Sequence, residues 1–105
     1  MEEKIIKGIK YQLDERKLIA KVIWKRGYFG DIVIPETVVS KKVSYKVTTI
    51  GYAAFENCES LTYIYYYNTI EQWKKVELGE CWNLNVPTKI VHCINDEDEE
   101  VEIEV

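Results

Sequence analysis

The side chains that could carry acid–base or nucleophilic chemistry in this 105-residue chain are one histidine and three cysteines. His92 and Cys93 are adjacent in the segment KIVHC, and a thiol beside an imidazole is the pairing that cysteine nucleophiles use. If this segment is a strand, adjacent side chains point to opposite faces, so the two groups cannot form a dyad with each other. Cys58 and Cys81 are distant from His92 in the sequence. We therefore expect no catalytic residues and no enzymatic activity.

The chain also carries no local pattern for a metal or a cofactor. Zinc needs about four ligands at short spacing, and neither C-x-x-C nor H-x-x-x-H is present. The acidic run NDEDEE lacks the D-x-D-x-D-G pattern of a calcium loop, and GYFGD lacks the glycine spacing of a phosphate loop. We predict no metal site and no cofactor. Residues 95–105 are interpreted as an acidic tail, either an edge strand with its glutamates outward or a disordered segment.

Composition indicates an ordinary globular domain covering residues 1–105, with 47% hydrophobic and 30% charged residues. The formal net charge of −4 disfavours nucleic acid as a partner, because nucleic acid is bound by clustered Lys and Arg. No apolar run approaches the roughly 20 residues of a membrane helix, so we expect no membrane insertion. The segment MEEKIIKGIK lacks the apolar core of a secretory signal, so the residues alone leave localisation open.

Three cysteines are an odd number, and their spacing does not form a disulfide framework. A single disulfide between Cys81 and Cys93 remains open for an exported protein. Unpaired cysteines are usually buried, so free, buried thiols are the favoured interpretation.

The first half of the chain has the alternation of β-strands. The runs IKYQLDE and LIAKVIW flank a polar turn, which predicts a hairpin. DIVIPETV places Ile32 and Ile34 on one face and stops at Pro35, and KVSYKVTTI alternates again.

One helix is expected in the second half of the chain. Thr69 and Gln72 have the spacing of a capping box, and apolar residues recur at helical spacing after them. The predicted helix runs from Ile70 to about Leu78, with Gly79 as its end.

The stretch TTIGYAAFENCESLTYIYYY, residues 48–67, changes its hydrophobic period twice. Strand, one turn of helix and strand again within about 20 residues is typical of a solenoid repeat. DIVIPETV (31–38) aligns with YIYYYNTI (63–70) at an offset of 32 residues, and TKIVHC (88–93) is a weaker third unit. The pattern predicts that one set of apolar side chains points into a shared core: Ile50, Ala54, Phe55, Cys58, Leu61 and Ile64.

GDIVIPETV, followed by YKVTTIGYAAFENCESLTYI, resembles the repeat of the BspA-like leucine-rich repeat proteins, from I-x-I-P-x-x-V to A-F-x-x-C-x-x-L-x-x-I. YQLDERKLIAKVI resembles the hairpin often found before the first repeat of that family. TIEQWKKVELGECWN, with IVHC further on, resembles the segment that closes such arrays. The chain departs from the pattern at Tyr66 and Tyr67, and it holds one full unit where the family usually has many.

The resemblance implies an α+β, mostly β fold: a short leucine-rich-repeat-type right-handed solenoid with an N-terminal β-hairpin and one C-terminal helix. It also implies protein binding or adhesion as the role and the cell surface or secretion as the location. The family's motif contains no catalytic residues.

Tyr63, Tyr65 and Tyr67 are the candidate partner-binding residues. If the alternate apolar side chains of their strand face the core, the three tyrosines project outward in one row. Val33 and Thr49 are expected as neighbouring surface positions. Tyrosine is enriched where proteins bind partners. The alternative is that these rings pack on the hairpin or on the predicted helix.

These observations predict a non-catalytic protein–protein interaction module with an unidentified protein partner. The alternative is a structural or self-assembly module that forms a homo-oligomer, such as a homodimer, through its strand face or edge. Unpaired strand edges invite such pairing, and the outward glutamates of the acidic tail would oppose it.

Overall fold

Strands dominate the backbone in this computed structural model, which describes residues 1–94 and 97–105. Asn95 and Asp96, the first two residues of the predicted acidic tail, lie outside the described residues. In chain order the elements are β1 (Glu2–Ile6), β2 (Ile9–Asp14), β3 (Ile19–Val22), β4 (Gly30–Ile34), β5 (Thr37–Ser40), β6 (Val43–Ile50), β7 (Leu61–Tyr66), α1 (Ile70–Trp73), β8 (Glu77–Leu78), β9 (Ile90–Ile94) and β10 (Glu100–Glu104).

The first sheet is six-stranded, with the order β1-β2-β3-β6-β5 and with β8 also paired to β6. Strands β1, β2 and β3 are antiparallel neighbours, while β3 and β6 are parallel. In β2, buried Ile9, Tyr11 and Leu13 alternate with half-buried residues, so one face of the strand supplies the core. The Asp14 carboxylate accepts hydrogen bonds from the backbone amides two and three residues later, at 2.9 and 3.1 Å. The predicted hairpin is therefore present, with β1 added to it.

The second sheet is four-stranded, with the order β10-β9-β7-β4. Strands β9, β7 and β4 are parallel to one another, and β10 is an antiparallel strand at one edge. Ile32 of β4 pairs with Ile64 of β7, which pairs with Val91 of β9. The 32-residue offset visible in the sequence is therefore the register offset between two neighbouring parallel strands.

The prediction of a right-handed solenoid is wrong. A solenoid stacks similar units on one another along its whole length, whereas both sheets here mix parallel with antiparallel pairs. Antiparallel strands lie at the ends: β1 and β2 on one side of the first sheet, β5 on the other, and β10 in the second sheet. The connections also differ, because β4 leads to the antiparallel pair β5 and β6, while β7 leads to α1 and β8. The result is two mixed sheets with almost no helix.

The predicted helix over residues 70–78 is also shorter than expected, since α1 ends at Trp73. Its beginning agrees with the prediction, because the Thr69 hydroxyl accepts a hydrogen bond from the Gln72 amide at 3.2 Å. Beyond it, Glu77–Leu78 pairs in parallel with the end of β6. A backbone amide cannot form the hydrogen bonds of a helix and of a sheet at the same time, and in Glu77–Leu78 it pairs with the sheet. No helix within the described residues has the length and apolar character needed to cross a membrane.

Residues 48–67, where the hydrophobic period changes twice, contribute to a single core that is shared by the buried side chains of both sheets. Phe55 is fully buried, with its ring centroid 5.0 Å from that of Tyr28 and 6.3 Å from that of Trp82. The register between β4 and β7 shifts by one residue after Leu61, so Leu61 and Ile64 both point inward although they are three residues apart. All the side chains predicted to point inward are buried: Ile50, Ala54, Phe55, Cys58, Leu61 and Ile64.

Candidate functional site

The four-stranded sheet has one buried face and one outward face. Along β7, Ile64 and Tyr66 are buried, whereas Tyr63 is 44% exposed and Tyr65 is half-buried. The ring that packs on α1 is the inward one of Tyr66, whose centroid lies 5.2 Å from that of Trp73. The strand alternation thus places Tyr63 and Tyr65 on the outward side, as the sequence pattern predicts.

A row of outward side chains crosses this sheet at right angles to its strands. Val33 of β4 pairs with Tyr65 of β7, Tyr65 pairs with His92 of β9, and His92 pairs with Glu102 of β10. Side chains that are directly paired across strands have Cβ atoms about 4.5–5.5 Å apart. Four residues that are far apart in the sequence therefore meet on one surface.

Tyr63, Tyr65 and His92 form a group of rings on this face, here called the tyrosine–histidine cluster. The centroids of Tyr63 and Tyr65 are 6.0 Å apart, and they lie 5.7 and 5.1 Å respectively from the imidazole of His92. His92 is only 8% exposed. Burial raises the pKa of Tyr65, and the carboxylates of Asp31 and Glu100 raise it further because they disfavour a negative phenolate.

Two glutamates of β10 complete the edge of the cluster. One carboxylate oxygen of Glu100 lies 2.5 Å from Nδ1 of His92, and one of Glu102 lies 3.8 Å from it. Neither contact has hydrogen-bond geometry, and this buried nitrogen has no other partner among the described residues. The sequence reasoning missed this group of residues, because the alternation of EEVEIEV shows that the glutamates share a face but not which strand they meet.

Tyr67 lines a groove beside the tyrosine–histidine cluster. Its backbone amide donates a hydrogen bond to the carbonyl of Ile34 at 2.9 Å, which fixes the tyrosine just beyond the end of β7. The groove has a volume of about 570 Å³ and lies between β4 and the strands β1, β2 and β5. Val33 lines it and also pairs with Tyr65, so the outward row and the groove are continuous.

The five residues predicted to bind a partner do not form a single patch. Tyr63, Tyr65 and Val33 share the outward face, and Tyr67 joins them through the groove. Thr49 does not, because it lies on β6 in the other sheet, where it pairs with β3 and β8 and is half-buried. The sequence placed it beside the tyrosines on the assumption of a continuous solenoid.

All three cysteines are free in the structure. Cys58 and Cys93 are buried as expected, but Cys81 is exposed in the irregular segment between β8 and β9, so the expectation of buried thiols is wrong for that residue. Burial raises the pKa of Cys58, and it raises the pKa of Cys93 to about 11. The side chain of Cys93 is completely buried on the inward face of β9, while that of His92 lies on the opposite, outward face.

We expect the folded protein to react quickly with Ellman's reagent at one thiol, that of Cys81, at about pH 8, because the reagent needs an accessible thiolate. Cys58 and Cys93 should react only after unfolding in urea. Absorbance of the released thiol product, followed over time with and without urea, measures both phases. The Cys81→Ser variant should lack the fast phase, and a fast phase of two thiols in the parent protein would contradict the expectation.

The fold is similar to that of a solved structure from Faecalibacterium prausnitzii A2-165, described as a leucine rich cell surface protein. The two chains share 18% sequence identity and a TM-score of 0.61. The similarity covers 94% of this chain and 24% of that chain, so this chain spans about a quarter of the protein it resembles. No protein-family model and no curated protein matches the chain. At this identity the similarity is one of fold alone.

Proposed function

We propose that this protein is a non-catalytic module that binds another protein through the outward face of its four-stranded sheet. The observation that carries the proposal is the continuity of Tyr63, Tyr65 and Val33 with the groove that Tyr67 lines. Tyr63, Val33 and Tyr67 are 44%, 48% and 65% exposed, so this face offers apolar and aromatic surface to a partner. Surfaces of this kind usually mark an interaction site when polar residues surround them.

The chemistry of the face favours a partner with apolar and basic side chains. Tyrosine gives a large contact area with few rotatable bonds, and its hydroxyl can still form hydrogen bonds, which is why it is frequent among the residues that dominate binding energy. Carboxylates border the tyrosines on both sides, Asp31 on β4 and Glu100, Glu102 and Glu104 on β10. A basic partner would be steered toward this rim, so its association rate should fall as salt increases.

The positions of the reactive side chains support the non-catalytic part of the proposal. Cys93 lies in the core with a raised pKa, on the opposite face of β9 from His92. A buried thiol that stays protonated at neutral pH is a poor nucleophile. The similar structure comes from a protein described as a cell surface protein, and by extension we place this module at a bacterial surface in an adhesive role.

The proposal is tested with peptides selected from a random displayed library against the immobilised protein. For the selected peptides, replacing Tyr63, Tyr65 and Tyr67 together with serine should weaken binding by at least about 30-fold, as expected when dominant contact residues are removed. Tyr52→Ser is the matched control, because Tyr52 is 70% exposed and lies in the loop after β6. Binding is measured by isothermal titration calorimetry after circular dichroism shows that both variants are folded.

Two results would count against this surface. If the triple variant and the Tyr52→Ser variant bind equally well, the tyrosines do not form the contact. If the library yields no peptide whose binding depends on the outward face, the module does not recognise extended peptides there.

Self-assembly is the second candidate function, and the open edge of β4 favours it. Among residues 1–94 and 97–105, β4 pairs only with β7. The backbone N–H and C=O groups of Asp31 and Val33 therefore point away from the sheet and are available to another strand. A second copy could add a strand there. Light scattering of the same samples over a wide concentration range separates the two functions. A dimer that Val33→Pro abolishes would support assembly, and a strict monomer would exclude it.

A further inference from the structure

A histidine and two glutamates from neighbouring strands converge at the edge of the outward face. Nδ1 of His92 and carboxylate oxygens of Glu100 and Glu102 lie within 4.8 Å of one another. Glu102 is paired directly with His92, and Glu100 lies two residues away on the same side of β10. Direct and diagonal neighbours of an antiparallel pair are within reach of long side chains. The ladder between β9 and β10 therefore positions all three groups.

His92 is the unusual member of this group because it is buried and not hydrogen-bonded. Its exposed fraction is 8%, and its Nδ1 atom has no hydrogen-bond partner among the described residues. The nearest oxygen of Glu100 lies 2.5 Å from this nitrogen, at the distance of an ion pair, but makes no hydrogen bond with it. A buried polar atom without a partner costs free energy, so a ligand that both the nitrogen and the carboxylates can bind would relieve it.

One nitrogen and two carboxylate oxygens form a donor set that suits Zn²⁺ and similar transition-metal cations. Ca²⁺ takes six to eight oxygen ligands, and Mg²⁺ usually keeps several waters, so neither suits a site with an imidazole. Ligand atoms around a tetrahedral zinc lie about 3.3 Å apart, because the bonds are about 2.0–2.2 Å long. The two separations from Nδ1 of His92 are 2.5 and 3.8 Å, so both glutamate side chains, which are more than half exposed, must shift by less than about 1 Å to coordinate one ion. The two carboxylates also balance the charge of a dication.

The tyrosine–histidine cluster orients the imidazole toward the carboxylates. The rings of Tyr63 and Tyr65 pack against His92 at centroid distances of 5.7 and 5.1 Å. This packing limits rotation of the imidazole and excludes water from its sides. Residues that orient a ligand in this way strongly affect the affinity of metal sites.

We propose that His92, Glu100 and Glu102 bind one divalent cation of the zinc class, with the remaining position open to water or to a partner's side chain. This site borders the proposed partner surface but can be tested separately from it, because its three ligands come from β9 and β10. The ion would join the edge strand β10 to β9. Since the three ligands come together only in the folded chain, the ion stabilises the folded state.

Zinc binding is measured on the protein without an affinity tag, in a Cys81→Ser background that removes the exposed thiol. His92 is the single histidine of the chain, so its ring signals in nitrogen–proton correlation spectra are unambiguous. We expect one equivalent of zinc chloride to shift these signals and magnesium chloride to leave them unchanged. Glu100→Gln and Glu102→Gln should each weaken zinc binding by at least about tenfold. Both glutamates are more than half exposed, so these variants should fold.

Glu104→Gln is the matched control, because it removes the same charge from the same strand at an exposed position outside the cluster. It should keep the zinc affinity of the parent protein. The proposal is overturned if zinc leaves the His92 ring signals unchanged. It is also overturned if Glu100→Gln and Glu102→Gln bind as the parent does, or if Glu104→Gln weakens binding equally, since the effect would then be general charge attraction rather than coordination.

Discussion

Replacing Phe55 with alanine should lower the free energy of unfolding by about 3–5 kcal/mol, the usual cost of removing a large aromatic side chain from a core. Phe55 is fully buried, and its ring meets Tyr28 and Trp82 edge-on. Its amide also donates a hydrogen bond to the Trp82 carbonyl at 2.8 Å, so the backbone cannot easily move to fill the space. Domains of this size are only about 5–15 kcal/mol stable, which makes this loss a large fraction of the total.

The chain offers a matched control, because its other phenylalanine, Phe29, is 73% exposed. Phe29→Ala should change the stability by no more than about 0.5 kcal/mol. Urea unfolding followed by tryptophan fluorescence measures both variants, and equal m-values show that the comparison concerns the folded state. Equal losses for the two variants would mean that Phe55 does not hold the core together.

Gly79→Ala should be the most damaging substitution at any glycine, with a loss of about 3 kcal/mol or more from steric overlap. A methyl group at this position would lie 2.5 Å from the Tyr52 nitrogen and 2.7 Å from the Gly51 carbonyl carbon. These are backbone atoms, which cannot rotate away. The Gly79 amide also donates a hydrogen bond to the Ile50 carbonyl at 2.7 Å, which fixes the two segments at this distance.

Gly8→Ala separates this steric effect from backbone strain. Gly8 has φ of +85°, and a methyl group added there would meet no atom within 4 Å, so alanine costs only the left-handed conformation, about 1–2 kcal/mol. Thermal and urea unfolding of the two variants should therefore rank Gly79→Ala well below Gly8→Ala in stability. The reverse order would show that β8 can move away from the loop after β6.

The role of Gly79 is an example of a feature that the sequence does not predict. The sequence predicted that this glycine ends a helix, whereas the structure uses it to let two backbone segments approach closely. Local pattern predicted the right cap at Thr69 and the wrong length for α1, because Glu77–Leu78 pairs with β6 instead of continuing the helix. A hydrophobic period of 3.6 residues shows which side chains share a face, but it does not show what backbone partner competes for the amides.

The candidate site was also predicted only in part from the sequence. The outward positions of Tyr63 and Tyr65 followed from the sequence, because alternation is a property of the strand itself. The prediction that Thr49 lies beside them came from the assumption of a solenoid. The structure instead divides the strands between two mixed sheets, and Thr49 lies in the other sheet. The meeting of His92 with Glu102 could not be foreseen, because it depends on the register between β9 and β10.

The sequence by itself thus determined the strands of the β2–β3 hairpin, the side chains of residues 50–64 that face the core, and the 32-residue offset that became the pairing of Ile32 with Ile64. The first two features depend on the pattern of a few consecutive residues, and the offset is an internal repeat that can be seen in the residues alone. Tertiary structure alone decided the division into two mixed sheets, the exposure of Cys81 and the convergence of His92 with the glutamates of β10. Those features depend on which strands pair and in which direction, and the packing of the whole chain settles that choice.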